Sequence, residues 1–196
     1  MTCTVCHRRM KGRSDRKTCS HACRQKAYEL RKKRQWGTDT WMERYTPDSY
    51  VQSVRSVLGV IDLDPASCLQ ANTVVQALRI FTKEEDGLSH PWAGRVYTNP
   101  PYRGLQVPFL LKLLDHYRAG EVTSAIALAP HTDSSGMRGY WEEFDAICWT
   151  SKRVRFWSPD GTFSGAGWTP SVFAYLGPNR DLFEEEFKKW GMVRAA

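Results

Sequence analysis

The sequence lacks any run of about 18 uninterrupted apolar residues, which is the length that a membrane-spanning helix needs. Its N-terminus also lacks the apolar stretch of a secretory signal. Internal repeats and low-complexity segments are missing as well. From these absences we expect a cytoplasmic protein that has no membrane partner.

Apolar residues are present in the amount that a folded domain requires. Of the 196 residues, 41% are hydrophobic and 12% are aromatic. A chain of this kind can bury one core of roughly 100 to 200 residues. A wholly disordered or collagen-like chain is therefore excluded.

Acidic residues are scarce at the start of the chain. The first 34 residues contain twelve Lys or Arg but only Asp15 and Glu29, a local net charge of +10 in a chain of net charge +7. The rest of the chain carries 16 basic and 19 acidic residues. We predict two domains, a basic module over residues 1–36 and a mildly acidic domain over residues 41–196.

Four of the six cysteines fall in the basic module with the spacing C-x2-C-x12-C-x3-C. In a cytosolic chain, close pairs of this kind indicate a metal site rather than disulfides. Two pairs joined by a short loop can supply the four thiolates of a tetrahedral zinc site, and zinc would stabilise a module too small to fold alone. His7 and His21 lie beside the cysteines as alternative ligands. The predicted ligands of a structural Zn²⁺ are Cys3, Cys6, Cys19 and Cys23.

Residues 24–34 have good helix formers and no Pro or Gly. A basic helix there would attract phosphates and bind nucleic acid in a salt-dependent way; the alternative is a solvated helix without a partner. Residues 3–34 resemble short zinc-ribbon modules in which a C-S-x-x-C-R pair leads into a basic helix. The residues that we assign to DNA binding are Arg24, Lys26, Arg31, Lys32, Lys33 and Arg34.

The larger domain alternates strand-like and helix-like segments. This order predicts an α/β fold, with a mostly parallel sheet and helices on both faces. In such a sheet, ligands bind beyond the carboxyl ends of the strands. The predicted helices cover 47–58, capped by Thr46, 108–117 and 180–190. The predicted strands cover 60–63, 96–98, 123–128, 146–150, 153–157 and 171–176.

The tetrapeptide Asn99-Pro100-Pro101-Tyr102 follows a predicted strand. Its prolines fix the backbone and leave the Pro100 carbonyl without a competing amide nearby. With the Asn99 side-chain oxygen, this carbonyl offers two acceptors to one amino group, and Tyr102 offers a flat face to a planar ring. Such acceptors favour the pyramidal amine that can attack a methyl group. We predict that Asn99, Pro100, Pro101 and Tyr102 are catalytic.

This motif resembles the catalytic motif of amino-group methyltransferases that use S-adenosylmethionine. A longer ordered series resembles the phage-encoded DNA N6-adenine methyltransferases of the Dam-like type over residues 41–177. The resemblance implies a Rossmann-like methyltransferase fold and an adenine flipped out of DNA as substrate. It also implies a phage or prophage gene product in a bacterial cytoplasm. The series comprises residues 45–47, 61–67, 85–88, 92, 96–102, 128–133 and 153–156.

The resemblance further implies a set of residues that bind S-adenosylmethionine. Residues 45–47 match the family's segment that lines the methionine end of the cofactor. The loop after the first strand matches the family's loop that contacts the amino-acid part and the ribose of the cofactor. Asp86 matches a position near the adenosine. Many relatives have glycines in that loop, whereas residues 64–68 have none. The implied residues are Tyr45, Thr46, Pro47, Asp62, Asp64, Pro65, Ala66, Ser67 and Asp86.

Several interpretations remain open from the sequence. Asp62 or Asp64 could cap a turn, and Asp86 could be a solvated loop acid. The polar segment 158–167 is expected to be a mobile loop that touches DNA. Methylation of cytosine N4 or of a protein glutamine is an alternative reaction. A non-catalytic, zinc-dependent DNA-binding protein with a degenerate methyltransferase domain is an alternative of another class.

Overall fold

The computed structural model describes residues 2–3, 19–20, 23, 44–101, 104–131, 140–158, 161–166 and 170–195, with residues 163–166 and 195 described by their backbone. The chain divides into two units, Met1–Thr40 and Trp41–Ala196. Across the described ranges, no helix is long and apolar enough to span a membrane. All elements named below belong to the second unit.

The second unit contains four α-helices among its described residues. Helix α1 buries Val51, Val54 and Val57 at helical spacing and ends at Gly59, whose φ of +72° is easy only for glycine. Two 3₁₀ turns cover Gly87–Ser89 and Trp141–Glu143. The helices are α1 (Asp48–Leu58), α2 (Leu69–Val75), α3 (Gln106–Arg118) and α4 (Arg180–Phe187).

Nine strands are described. The first five are β1 (Leu63–Asp64), β2 (Arg79–Ile80), β3 (Gly94–Thr98), β4 (Val122–Pro130) and β5 (Ala146–Thr150). The others are β6 (Arg155–Trp157), β7 (Phe163–Ala166), β8 (Ser171–Leu176) and β9 (Gly191–Ala195). Seven strands form one sheet in the order β2-β1-β3-β4-β8-β5-β9, while β6 and β7 form a separate hairpin.

Five strands of the large sheet run in the same direction. Strands β2, β1, β3 and β4 are parallel neighbours. Strand β8 is antiparallel to both β4 and β5, so β5 runs with β4, and β9 is antiparallel to β5. The end of the sheet at which β1 to β5 finish is called the carboxyl edge below; it carries Asp64, Ile80, Thr98, Pro130 and Thr150.

The core lies on both faces of this sheet. On β4, Ile126 and Leu128 pack with α1 and α4, whereas the alanines at 125, 127 and 129 pack with α3. The small alanine side chains leave room for Phe109 and Leu113 of α3. The predicted α/β fold with helices on both faces of the sheet is confirmed. The sheet itself is mixed, because three of its six neighbouring strand pairs are antiparallel, and the predicted parallel arrangement holds for β2, β1, β3 and β4.

Four helix ends differ from the prediction, among them both ends of α3, which covers Gln106–Arg118 rather than 108–117. Helix α1 begins at Asp48, and Thr46 does not cap it, because the Thr46 hydroxyl accepts a hydrogen bond from Tyr97 instead. Helix α4 ends at Phe187 rather than at Trp190. There the chain turns into β9, where a Cβ on Gly191 would lie 1.8 Å from the Trp149 carbonyl oxygen, so only glycine fits.

The expectation of a loop over residues 158–167 is wrong in part. Residues Phe163–Ala166 form β7, which pairs with β6. The turn between them is closed by hydrogen bonds from Ser158 N to the Thr162 carbonyl and from Gly161 N to the Ser158 carbonyl. The other predicted strands and helices are all present. Strands β5 and β8 have the predicted ends, and the rest have shifted ends. No element was predicted for α2, β2 or β9.

Candidate active site at the carboxyl edge

Three segments distant in sequence meet at the carboxyl edge. They are residues 44–46 before α1, the loop 64–68 after β1, and Asn99 after β3. Asn99 Nδ2 donates to the Arg44 carbonyl at 2.7 Å, across 55 positions of the chain. The Cys68 thiol donates to the Tyr45 hydroxyl at 3.3 Å. The structure thus brings together predicted catalytic and cofactor-binding residues.

The side-chain amide of Asn99 has a defined orientation. Its Nδ2 faces the Arg44 carbonyl, which can only accept, and lies 3.4 Å from Thr46 Oγ1. The opposite atom, Asn99 Oδ1, is buried and has no hydrogen-bond partner among the described residues. An unpaired buried acceptor costs about 1–3 kcal/mol. A ligand amino group that donates to Oδ1 would remove this cost.

Asp64 is a buried acid at the end of β1. The residue is 3% exposed, and its carboxylate accepts from Ala66 N at 3.1 Å. Burial raises the pKa of Asp64 to about 7, although the Ala66 amide opposes this rise. The Ser67 hydroxyl is buried without a hydrogen bond to any described residue, so the Ala66 amide is the partner that limits the rise. The Asp64 carboxyl therefore changes from its protonated to its ionised form near neutral pH.

This pKa predicts how stability depends on pH. Below about pH 3, Asp64 is protonated in both the folded and the unfolded chain. As pH rises to about 7, the unfolded chain ionises Asp64 while the folded chain keeps the proton, so its contribution to the free energy of unfolding falls. Asp64→Asn should remove this fall and be more stable than the wild type at about pH 8, by up to about 4 kcal/mol.

Urea unfolding at about pH 5 and about pH 8 measures this effect. Asp62→Asn is the matched control, because Arg95 lowers the pKa of Asp62 and the sign reverses. The control should lose stability relative to the wild type at the higher pH. An Asp64→Asn protein with the same pH dependence as the wild type would contradict the assignment.

The backbone of the loop 64–68 is held by internal contacts. Ala66 N donates to Asp64, and Ser67 N donates to the Phe81 carbonyl at 3.0 Å. A Cβ on Gly87 would lie 2.0 Å from the Pro65 carbonyl oxygen, so the Gly87 backbone packs directly on the loop. The two amides are therefore engaged within the protein, and the glycine that shapes this loop comes from the neighbouring turn.

Asp86 lies beside this loop because it immediately precedes Gly87. Its carboxylate accepts from Leu88 N at 3.2 Å and begins the 3₁₀ turn, with a left-handed φ of +55°. The turn is anchored below by the Trp92 indole, which donates to the Gly87 carbonyl at 2.7 Å. Asp86 itself is exposed to solvent. Its position beside the loop is fixed by Gly87, whose backbone packs on Pro65.

Asp62 lies apart from this group, near the amino ends of β1 and β3. Its two carboxylate oxygens accept from Arg95 Nε at 2.8 Å and Arg95 Nη2 at 3.0 Å. The Pro47 carbonyl accepts from Tyr50 N and Val51 N at the start of α1. Asp62 and the Pro47 carbonyl thus have partners within the fold, and Asp62 lies away from the carboxyl edge.

Other predicted residues are only partly described. Pro100 is buried and Pro101 is exposed. Tyr102, Cys6 and the six basic residues assigned to DNA binding lie outside the described residues. Sequence reasoning missed Arg44 and Tyr97, which contact Asn99 and Thr46. Tyr97 has a readable signal, because it stands two positions before Asn99 and a strand places such positions on one face.

Three of the four predicted zinc ligands lie together in the first unit. The sulfur atoms of Cys3, Cys19 and Cys23 are all within 4.8 Å of one another. The Cys19 and Cys23 sulfurs are 3.5 Å apart. In a tetrahedral site with Zn–S bonds of about 2.3 Å, neighbouring sulfurs lie about 3.8 Å apart. This cluster therefore fits a metal ion that prefers thiolates.

Comparison with known proteins gives little further information. No protein-family model matches the sequence, and no curated protein matches it. Among solved structures, the chain is similar to a protein from Pyrococcus horikoshii described as a "putative RNA methyltransferase". The two have 13% identity, the match covers 71% of this chain and 89% of that chain, and the TM-score is 0.43. A likeness at this level carries no conclusion on fold or activity, which rest on the residues of this chain.

Proposed function

We propose that the protein is a DNA methyltransferase that transfers a methyl group from S-adenosylmethionine to N6 of a flipped-out adenine. The observation that carries the proposal is the Asn99 amide at the carboxyl edge, whose buried Oδ1 has no hydrogen-bond partner in the described part of the chain. It begins an Asn-Pro-Pro-Tyr motif, and that motif suits an aromatic amino group. The order of the parallel strands is compatible with a Rossmann-like methyltransferase sheet.

The proposed chemistry needs acceptors and positioning more than a strong base. Asn99 Oδ1 and the Pro100 carbonyl would accept hydrogen bonds from the two N6–H groups of adenine, and Tyr102 would stack on the base. When bound, S-adenosylmethionine supplies an electrophilic methyl group, so that N6 forms a C–N bond as the methyl–sulfur bond breaks and its electron pair stays on sulfur. N6 then releases one proton to water. The two acceptors would stabilise the positive charge that develops at N6.

The cofactor would lie over the loop 64–68. We assign two carboxylates to it: Asp64 at the end of β1, and Asp86, which precedes the Gly87 that packs on Pro65. The Asp64 carboxyl would face the amino-acid end of the cofactor. The cationic amino group of the cofactor would favour the ionised form of Asp64. Asp86 would accept from the ribose hydroxyls. Tyr45 and Thr46 would close the methionine end.

The β6–β7 hairpin is the part of the second unit that we propose to contact DNA. Two backbone hydrogen bonds, of 2.9 and 3.0 Å, join Tyr45 and Trp157, so the hairpin lies beside the segment that holds Asn99. Lys152, Arg153 and Arg155 are exposed at its start. This concentrates positive charge next to the site, although residues 41–196 are mildly acidic as a whole. The basic residues of the first unit would add affinity for phosphates.

Removing hairpin charge should weaken DNA binding. For Lys152→Ala/Arg155→Ala, we expect weaker binding and a salt dependence that is shallower by about 0.9 in log–log slope for each phosphate that the protein no longer neutralises. The control is Arg180→Ala/Arg194→Ala, which removes two exposed arginines toward the opposite edge of the sheet. Fluorescence anisotropy with labelled duplexes over a range of salt concentrations measures both variants. Equal slopes for the two double variants would contradict the hairpin assignment.

For the first unit, we propose a structural zinc ion bound by Cys3, Cys19, Cys23 and, as fourth ligand, Cys6. The support is the mutual approach of the three described sulfur atoms and the C-x2-C-x12-C-x3-C spacing. Zinc in such a site stabilises the fold and takes no part in methyl transfer.

The experiment that tests the activity uses methyl-labelled S-adenosylmethionine with adenine-containing duplexes and identifies the labelled base after digestion. Label on N6 of adenine supports the proposal. Label on cytosine N4, or on protein, would select one of the alternative reactions. A protein that binds DNA but does not bind the cofactor would be the non-catalytic alternative.

A further inference from the structure

The Tyr97 phenol is buried close to Asn99. Tyr97 is 1% exposed, and its hydroxyl donates to Thr46 Oγ1 at 2.7 Å. Thr46 is 6% exposed, and its Oγ1 lies 3.4 Å from Asn99 Nδ2. Positions 97 and 99 share one face of the chain at the end of β3, so both side chains meet residues 44–46.

The hydrogens in this group allow one orientation of the amide. One Asn99 Nδ2 hydrogen goes to the Arg44 carbonyl at 2.7 Å and the other points to Thr46 Oγ1, which Tyr97 holds from the opposite side. A flipped amide would place Oδ1 against the Arg44 carbonyl, acceptor against acceptor. It would also place Nδ2 where the substrate amino group must donate.

We propose that Tyr97 and Thr46 are positioning residues that hold the Asn99 amide with Oδ1 facing the substrate amino group. This inference rests on the proposed function of Asn99 as an amino-group acceptor. Neither Tyr97 nor Thr46 needs to touch the base that receives the methyl group. Their contribution is to pre-organise an acceptor that would otherwise rotate between two orientations.

The hydroxyl groups can be removed without changing the shape of the core. Tyr97→Phe should lower kcat about tenfold, the effect of losing one modest interaction in the transition state, with KM for DNA and affinity for the cofactor within about twofold. Thr46→Val should lower kcat by about 10- to 100-fold, because Thr46 contacts Asn99 directly. Thr46→Ser, which keeps the hydroxyl, should retain nearly full kcat.

A double variant separates positioning from stability. Thr46→Val alone leaves the Tyr97 hydroxyl without this acceptor and should lower the melting temperature. Tyr97→Phe/Thr46→Val removes donor and acceptor together and should recover much of that loss. Its kcat should nevertheless stay as low as that of Thr46→Val. Recovery of kcat together with stability would show a merely structural role and overturn the proposal.

Tyr175→Phe is the control for removing a buried phenol hydroxyl. Tyr175 is 0% exposed in the same core, but its hydroxyl accepts from Asn179 N at 2.9 Å, toward the opposite edge of the sheet. This variant should have an unchanged kcat. A fall in kcat equal to that of Tyr97→Phe would overturn the assignment to Tyr97.

An NMR measurement tests the same inference without any catalysis. The Asn99 side-chain amide is assigned in ¹⁵N-labelled protein by the signal pair that disappears in Asn99→Ala. Its hydrogen exchange should be about tenfold faster in Tyr97→Phe, and faster still in Thr46→Val, because the amide is less constrained. Unchanged exchange in both variants would overturn the proposal. A wild-type protein that methylates no DNA would refute the proposed function instead, and the exchange rates would still decide whether Tyr97 and Thr46 hold the amide.

Discussion

Replacing Asn99 by Ala should lower the turnover of methyl transfer by about 100-fold or more. This is the effect expected when an enzyme loses one pre-organised polar group that stabilises the transition state. In the proposed mechanism the ground-state complex loses less, because Oδ1 would interact most strongly when N6 becomes pyramidal and positively charged. Affinity for S-adenosylmethionine should therefore change little. Single-turnover rates with labelled cofactor, together with calorimetric titration of the cofactor, measure the two effects separately.

Stability should not follow activity in this variant. Asn99→Ala loses the Nδ2 hydrogen bond to the Arg44 carbonyl but also removes the unpaired buried acceptor, and these two contributions oppose each other. Asn179→Ala is the matched control, because Asn179 is exposed and its side chain makes no capping hydrogen bond to α4. The control should keep full activity. Full activity in Asn99→Ala would remove Asn99 from the catalytic site.

The strands that could be read from the sequence are those whose local pattern is decisive. Strands β5 and β8 have the predicted ends, because each is an apolar run bounded by polar or turn-forming residues and is buried on the sheet. Helix α2 had no such signal, since Val75 is its single buried residue and Leu69 is 80% exposed. Strand β9 depends on pairing with β5, which is a contact distant in sequence.

The site shows the same division between local and long-range information. The residue types of the tetrapeptide point to an amino-group acceptor, and this much is local. The orientation of the Asn99 amide depends on Arg44, which lies 55 positions away. Asp62 and Asp64 differ in their surroundings, because Arg95 forms an ion pair with Asp62 whereas Asp64 is buried. No pattern around either acid indicates which of the two will find an ion-pair partner.

Replacing Cys19 by Ser should abolish zinc binding and unfold the first unit. Binding of a structural zinc ion contributes about 10–16 kcal/mol in small metal-dependent modules, and a segment of this size has little core to offset its loss. The three described sulfurs already approach one another within 4.8 Å, so the remaining site would lack one corner of the tetrahedron. The second unit has its own core and should keep its affinity for the cofactor.

Metal analysis by mass spectrometry should find about one zinc per wild-type chain, and much less in Cys19→Ser or Cys6→Ser. Cys148→Ala is the control, because burial raises the pKa of that thiol to about 12 and keeps it protonated, which makes it a poor metal ligand. This control should retain the full zinc content. Amide proton spectra of the same proteins report whether the first unit is folded. A Cys19→Ser protein with undiminished zinc and a folded first unit would contradict the site, because three thiolates would then suffice to hold the ion.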